Sequence, residues 1–242
     1  GNLNKISGLY RGCHSIKKVL IAKEVTEIEH FSFEMCLNLE KVEFEEDSSL
    51  TCIGQKAFKQ CNKLATIEIP DSVIDMGQFV FEKCKVLNYI KFPTNVEVLN
   101  RGICKDSGNL EKVKLPDKLI RLEAEVFWKT KIKTIELPPD LRYIGCHAFF
   151  ECENLTEIVL PDSVTELERY TFNKCKKLKS ITLSNNIKVI RMNTFEGCEK
   201  LTSIVLPNEL TKIEQKAFLN CKNLESIRLP DNIKIIENST FE

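Results

Sequence analysis

The residues in this chain that could do chemistry are eleven cysteines, three histidines and 35 carboxylates. Cysteines in such number could build a disulfide framework or, joined by histidine, a zinc site. Either reading depends on where the thiols fall. No C-x-x-C occurs, and His14, His30 and His147 stand at unrelated positions, so the clustered ligands a metal needs are missing and no cofactor is expected. Cys13, Cys36, Cys61, Cys84, Cys152, Cys175, Cys198 and Cys221 instead recur at one place in a repeat, with Ser107 and Thr130 replacing them twice. Small residues exchanging for one another suggest a tight inward slot filled by free thiols packing as small hydrophobes. Residues stacked in one column sit about 5 Å apart at Cα, but their parallel Cβ vectors miss the roughly 3.8 Å Cβ separation that a disulfide prefers.

The element that positions those cysteines is a 23-residue unit written about ten times, C-x-x-L-x-x-I-x-L-P-x-x-V-x-x-I-x-x-x-A-F. Its cleanest copy runs Cys198, Leu201, Ile204, Leu206, Pro207, Leu210, Ile213, Ala217, Phe218. Self-similarity at this period is the signature of a solenoid whose turns bury their apolar faces against one another. Apolar pairs spaced i, i+2, from Val19/Ile21 to Ile227/Leu229, predict one short strand per turn. Ten such strands in register would make a parallel sheet on the order of 48 Å long. Pro70, Pro93, Pro116, Pro138, Pro161, Pro207 and Pro230 directly follow the strand and end its ladder. A second apolar pair follows, from Val25/Ile28 to Ile233/Ile236, and then an aromatic slot held by Phe in nine turns. That segment is too short for an ordinary helix, so a short second strand and a tight helical or 3₁₀ turn are expected.

These columns resemble the leucine-rich repeat, and P-x-x-V-x-x-I-x-x-x-A-F-x-x-C resembles its BspA-like class from Tyr10 to Phe241. The resemblance implies a mainly β, right-handed leucine-rich-repeat solenoid, its parallel sheet on the concave face and its short strands and turns on the convex face. It also implies a protein of the cell surface or secreted, acting in adhesion toward a host or neighbouring-cell protein, extracellular matrix included, or a glycan. Residues 1–242 read as one solenoid domain. The opening at Gly1 and the halt at Phe241-Glu242 read as a piece excised from a longer protein, with uncapped ends that could associate.

Composition narrows the function. Lys and Arg total 35 against 35 Asp and Glu, so the basic surplus of a nucleic-acid binder is missing. No run approaches the ~18 apolar residues of a membrane span. No carboxylate pair, glycine-rich loop or histidine–nucleophile pair survives as a catalytic constellation, so no enzyme is expected. Cys104 fills an aromatic slot, while Cys52 and Cys146 flank the second apolar pair with no sequence neighbour that would activate them.

What remains is surface. Tyr89, Lys91, Lys112 and Lys114 form a basic, aromatic-bearing spot on the outward strand columns, suited to an anionic contact. Val159, Ser180, Thr182, Ser203 and Val205 form a nearly uncharged stripe suited to a protein or glycan. Both also suit an ordinary sheet surface. Trp128 and Phe150, with His147 and Tyr170 near, could be an exposed aromatic patch, or Trp128 could fill the gap of its shortened 22-residue turn. An acidic corner, Glu45-Glu46-Asp47-Ser48-Ser49, carries two extra residues. The alternative to recognition is a spacer array with no ligand.

Overall fold

The computed structural model describes residues 4–242, so the opening at Gly1 lies outside it. The turns line up short parallel strands on two faces, and the strands of the main face pair in four blocks. The main sheet is built from Lys18–Ile21, Lys41–Phe44, Thr66–Glu68, Tyr89–Lys91, Lys112–Lys114, Glu157–Val159, Ser180–Thr182, Ser203–Val205 and Ser226–Arg228. Inward residues such as Ile67, Ile90 and Ile158 are buried while their neighbours face solvent, which is the alternation that the i, i+2 pairs predict.

The second apolar pair makes two-residue strands from Lys5–Ile6 and Glu27–Ile28 through Lys212–Ile213 and Ile235–Ile236. These strands pair in parallel in three blocks. Between the sheets, a proline carbonyl closes six corners by accepting the N–H three residues on, as in Val73 N to Pro70 O at 3.1 Å and Val164 N to Pro161 O at 2.9 Å, and Ala22 and Ser184 do the same in two others. Registers record the irregular turns: Thr66 pairs Tyr89 at the ordinary offset, Glu27 pairs Cys52 across the lengthened corner, and Arg121 pairs Tyr143 across the shortened turn.

Two expectations need adjusting. The main sheet carries nine assigned strands, because Thr134-Ile135-Glu136-Leu137 makes no ladder although Ile135 stays buried. The turn leading there is a residue short, and Pro138-Pro139 withdraw two N–H donors just beyond it. The tight turns at the aromatic slot do not extend into helices; the one short helix among the described residues is the 3₁₀ turn Gly8–Tyr10. Left-handed residues flank the slot two positions on each side, such as Lys56 (φ 56°) and Gln60 (φ 59°) around Phe58. A left-handed residue interrupts right-handed winding, so no helix propagates. The backbone there pairs with the next turn instead: Phe58 N donates to Val80 O at 3.0 Å and Phe172 N to Thr194 O at 2.9 Å.

The core is one continuous column of leucine, isoleucine, valine and phenylalanine running through the turns. Ring centroids along the aromatic slot lie 5.3 Å apart for Phe33–Phe58, 5.6 Å for Phe58–Phe81 and 5.7 Å for Phe172–Phe195. Fully burying each such side chain contributes roughly 1.5–3 kcal/mol before ordering entropy is counted.

Candidate functional site on the main sheet

The cysteine column is structural, and its role exceeds packing. From Cys36 onward, each thiol of the column reaches back one turn and donates to the carbonyl of the preceding aromatic-slot residue: Cys36 to Tyr10 at 3.0 Å, Cys61 to Phe33 at 3.3 Å, Cys84 to Phe58 at 3.2 Å, Cys175 to Phe149 at 3.2 Å and Cys198 to Phe172 at 3.2 Å. Ser107 does the same to Phe81 at 2.6 Å. Thr130 bonds its own turn's Phe127 carbonyl, which Cys152 reaches from the next turn at 3.0 Å. The exchange of Cys, Ser and Thr was the signal, since all three can donate. All eleven cysteines are free. Burial pushes the Cys84 and Cys152 thiols up to about 12, so the column holds the protonated donor form.

The two cysteines outside the columns do have neighbours, across turns where sequence order hides them. Cys146 Sγ accepts from Arg169 Nε at 3.3 Å, and Cys52 Sγ lies 3.8 Å from Asp75 Oδ2. Burial and then Asp75 push the Cys52 thiol up, which opposes nucleophilic use.

Trp128 and Phe150 are both half-buried and stack at 4.3 Å. His147 stacks on Tyr170 at 4.7 Å and lies 5.0 Å from Trp128. Lys105 Nζ sits 4.6 Å from the Trp128 ring centroid. The rings therefore pack on one another's faces, and all four are half-buried. Neighbouring turns fill the same back-face positions with ion pairs, Arg11–Glu34 at 2.7 Å and Lys59–Glu82 at 2.8 Å, and then with Arg101 and Lys105 on Glu125. The aromatic stack is thus one of several ways of filling a half-buried groove. Burial lowers the His147 imidazole, an effect that Glu125 opposes without reversing.

The main face keeps its freedom. Backbone pairing aligns Thr66, Tyr89 and Lys112 in one outward column and Glu68, Lys91 and Lys114 in the next. Tyr89 and Lys91 are half-buried; Lys112 and Lys114 are exposed. Some surface charges pair between turns, as in Lys133–Glu111 at 3.2 Å, Lys176–Glu153 at 2.6 Å and Lys222–Glu199 at 3.2 Å. Among the described residues, Lys91, Lys112 and Lys114 have no such partner. The spot is bounded by acid: Glu68 stands one rung before Lys91, and Glu136 and Asp117 share a groove with Lys112 and Lys114. Beyond it, Val159 is 63% exposed and Val205 84% exposed, with exposed Thr182 on the intervening rung. A second groove lies at the lengthened corner, lined by Glu43, Glu45, Glu46, Asp47, Glu68 and Asp71.

At the carboxyl-terminal turn the apolar columns open: Leu229, Ile235, Ile236 and Phe241 are exposed. Among the described residues, no helix is long and apolar enough to cross a membrane.

Known proteins place this architecture. The BspA type Leucine rich repeat region matches residues 6–133 and 120–242, in six copies. The fold is similar to a leucine rich cell surface protein from Faecalibacterium prausnitzii A2-165, 25% identical with a TM-score of 0.56, covering 91% of this chain and 78% of that one. It is similar to a leucine-rich repeat protein from Eubacterium ventriosum ATCC 27560, 21% identical with a TM-score of 0.61, covering 99% and 80%. The pneumococcal vaccine antigen PcpA shares the fold at 18% identity and a TM-score of 0.60, covering 91% of this chain and 65% of that one. A comparison with curated protein sequences finds no match. With the repeat pattern running from end to end and the family match spanning residues 6–242, the chain belongs to the BspA-type leucine-rich repeat family.

Proposed function

We propose that this array is a recognition module of the cell surface or of a secreted protein, and that it adheres to a protein or glycan through its main sheet. The observation that carries this reading is the clustering of Lys91, Lys112 and Lys114, three cations that form no ion pair, on two adjacent rungs of the main sheet. Tyr89 supplies an amphipathic ring beside them, a residue type enriched where proteins meet. Val159, Thr182 and Val205 supply a smooth apolar patch farther along, consistent with a contact that excludes water.

Trp128 and Phe150 belong in this reading to the scaffold, because their faces are already occupied. The spacer alternative is supported by the uninterrupted core column, which would transmit length whether or not a ligand binds. A screen of matrix proteins and glycans separates the two. The wild-type array should capture a ligand, and K91E/K112E/K114E or V159D/V205D should lose it. Capture unaffected by both variants would remove the face assignment, and no capture by the wild type would favour the spacer.

A further inference from the structure

The main face carries a charge order that neither the lysines nor the acidic corner discloses alone. Backbone register joins Glu68, Lys91 and Lys114 in one outward column, and Glu43, on the adjacent strand Lys41–Phe44 across the lengthened corner, continues it into a groove it shares with Glu68. The first half is acidic and the second basic. Only Glu43 is ion-paired, with Lys41 of its own strand at 2.5 Å. Glu68 and Lys91 are register partners yet form no ion pair within 4.0 Å, so both project outward with their charge available. The acidic half is deepened by the corner groove, where Glu45, Glu46, Asp47 and Asp71 face the same opening as Glu43 and Glu68, and Lys91 stands at its far edge.

Resting on the recognition reading above, we propose that the occupant of this face is a bipolar protein segment. Its cationic side chains lie over the Glu43/Glu68 half and its carboxylates over Lys91 and Lys114. Charge complementarity carries the assignment. Strands in a sheet lie about 4.8 Å apart, so the four rungs span roughly 14 Å and the centres of the two halves lie about 10 Å from one another. That exceeds the ~8 Å Debye length at physiological salt, so each half is felt separately. A uniform polyanion attracted by the lysines meets two rungs of carboxylate and the corner groove. A uniform polycation drawn to the groove runs onto two lysines. An extended segment advances about 6.7 Å for each pair of residues, so four charges at alternate positions take seven residues and about 20 Å, overrunning the roughly 14 Å column by about one rung, which the long lysine and glutamate side chains span. Like-charge juxtaposition of this kind selects partners more than it strengthens them.

The test uses three peptides of equal length, with charged residues at alternate positions and neutral residues between them. One carries two lysines and then two glutamates, one lysines only, one glutamates only; a heparin fragment is the fourth ligand. Binding to the intact protein is followed by amide chemical shifts. Expected for the wild type is binding of the bipolar peptide at least about threefold tighter than any other ligand, in line with exposed charge pairs worth up to about a factor of five each. The shifts should centre on residues 43, 68, 91 and 114. K91E/K114E should then prefer the lysine peptide, and E43K/E68K the glutamate peptide. All four are surface substitutions, and an unchanged cooperative thermal transition verifies the fold of each variant. Equal or tighter wild-type binding of the lysine peptide or heparin, or variants that keep the wild-type preference, would overturn the charge order. If that happens while K91E/K112E/K114E still abolishes capture in the protein and glycan screen, recognition stands and only the bipolar partner is removed.

Discussion

Replacing Cys84 decides whether the cysteine column is an apolar slot or a hydrogen-bonded one. Cys84 is fully buried and its thiol donates to Phe58 O at 3.2 Å. In C84A the bond is lost, at about 0.5–1.5 kcal/mol. Removing a group the size of one methylene from the core costs about 0.8 kcal/mol in transfer free energy. A void of about 20 Å³ adds about 0.5 kcal/mol at roughly 24 cal/mol per Å³. The sum is about 2–3 kcal/mol. C84S keeps the donor, in the arrangement Ser107 already uses toward Phe81 O at 2.6 Å, and loses mainly the sulfur's apolar burial, about 1 kcal/mol. C84V fills the slot but brings no donor and should cost about 1–3 kcal/mol. Urea unfolding followed by circular dichroism and Trp128 fluorescence measures all three. A hydrogen-bonded column requires serine to be more stable than alanine. An apolar slot requires the reverse order, so alanine at or above serine, or valine equal to wild type, would refute the reasoning.

Three further perturbations test other parts of the scaffold. G77A should be severely destabilising, by more than about 3 kcal/mol in chemical denaturation, because a Cβ there would lie 2.4 Å from the Gln55 backbone nitrogen of the preceding turn. Burial pushes the Glu125 carboxyl up, but hydrogen bonds from Lys105 and then Arg101 outweigh it and hold the group below its ordinary value of 4.5. A depressed carboxylate stabilises above the unfolded-state value and loses that contribution as pH falls through the folded one. Between about pH 5 and about pH 3 the wild type should therefore lose more stability than E125Q; parallel losses would show that the clamp contributes nothing. W128A should lower stability by roughly 2–4 kcal/mol through loss of the Phe150 and Lys105 contacts. Ligand capture by folded W128A should be unchanged, and a selective loss of capture would move the site to the back of the solenoid.

The strands were legible because their apolar residues repeat at two and then three positions, and the prolines mark where the ladder stops. The slot occupied by Cys84 and Ser107 was legible as a place, but its donor role needed the carbonyl of the preceding turn, 26 residues back. The left-handed positions were hidden because Lys56, Glu125 and Tyr170 occupy them as readily as Gly102 does, so no glycine pattern announces them. The unpaired rung at Thr134–Leu137 was hidden for another reason. Ile135 and Leu137 keep the apolar alternation while the hydrogen bonds depend on how the shortened turn spaces the backbone. At the candidate site, sequence named the lysines and the valine stripe. It did not show that the lysines lack partners, since pairing runs between turns, as in Lys176–Glu153. The sequence pattern also put Glu43, Glu68, Lys91 and Lys114 in one outward column, but did not show which of those charges are paired: Glu43 meets Lys41 while Glu68 and Lys91 form no ion pair.

The most direct measurement is ligand capture by the intact array on a panel of matrix proteins and glycans, with K91E/K112E/K114E run beside the wild type at physiological salt. Recognition through the main sheet predicts capture by the wild type, weakened by raised salt, and a loss of at least about tenfold in the variant, as expected when three in-register contacts change sign. Equal capture by wild type and variant, with both folded, would contradict it.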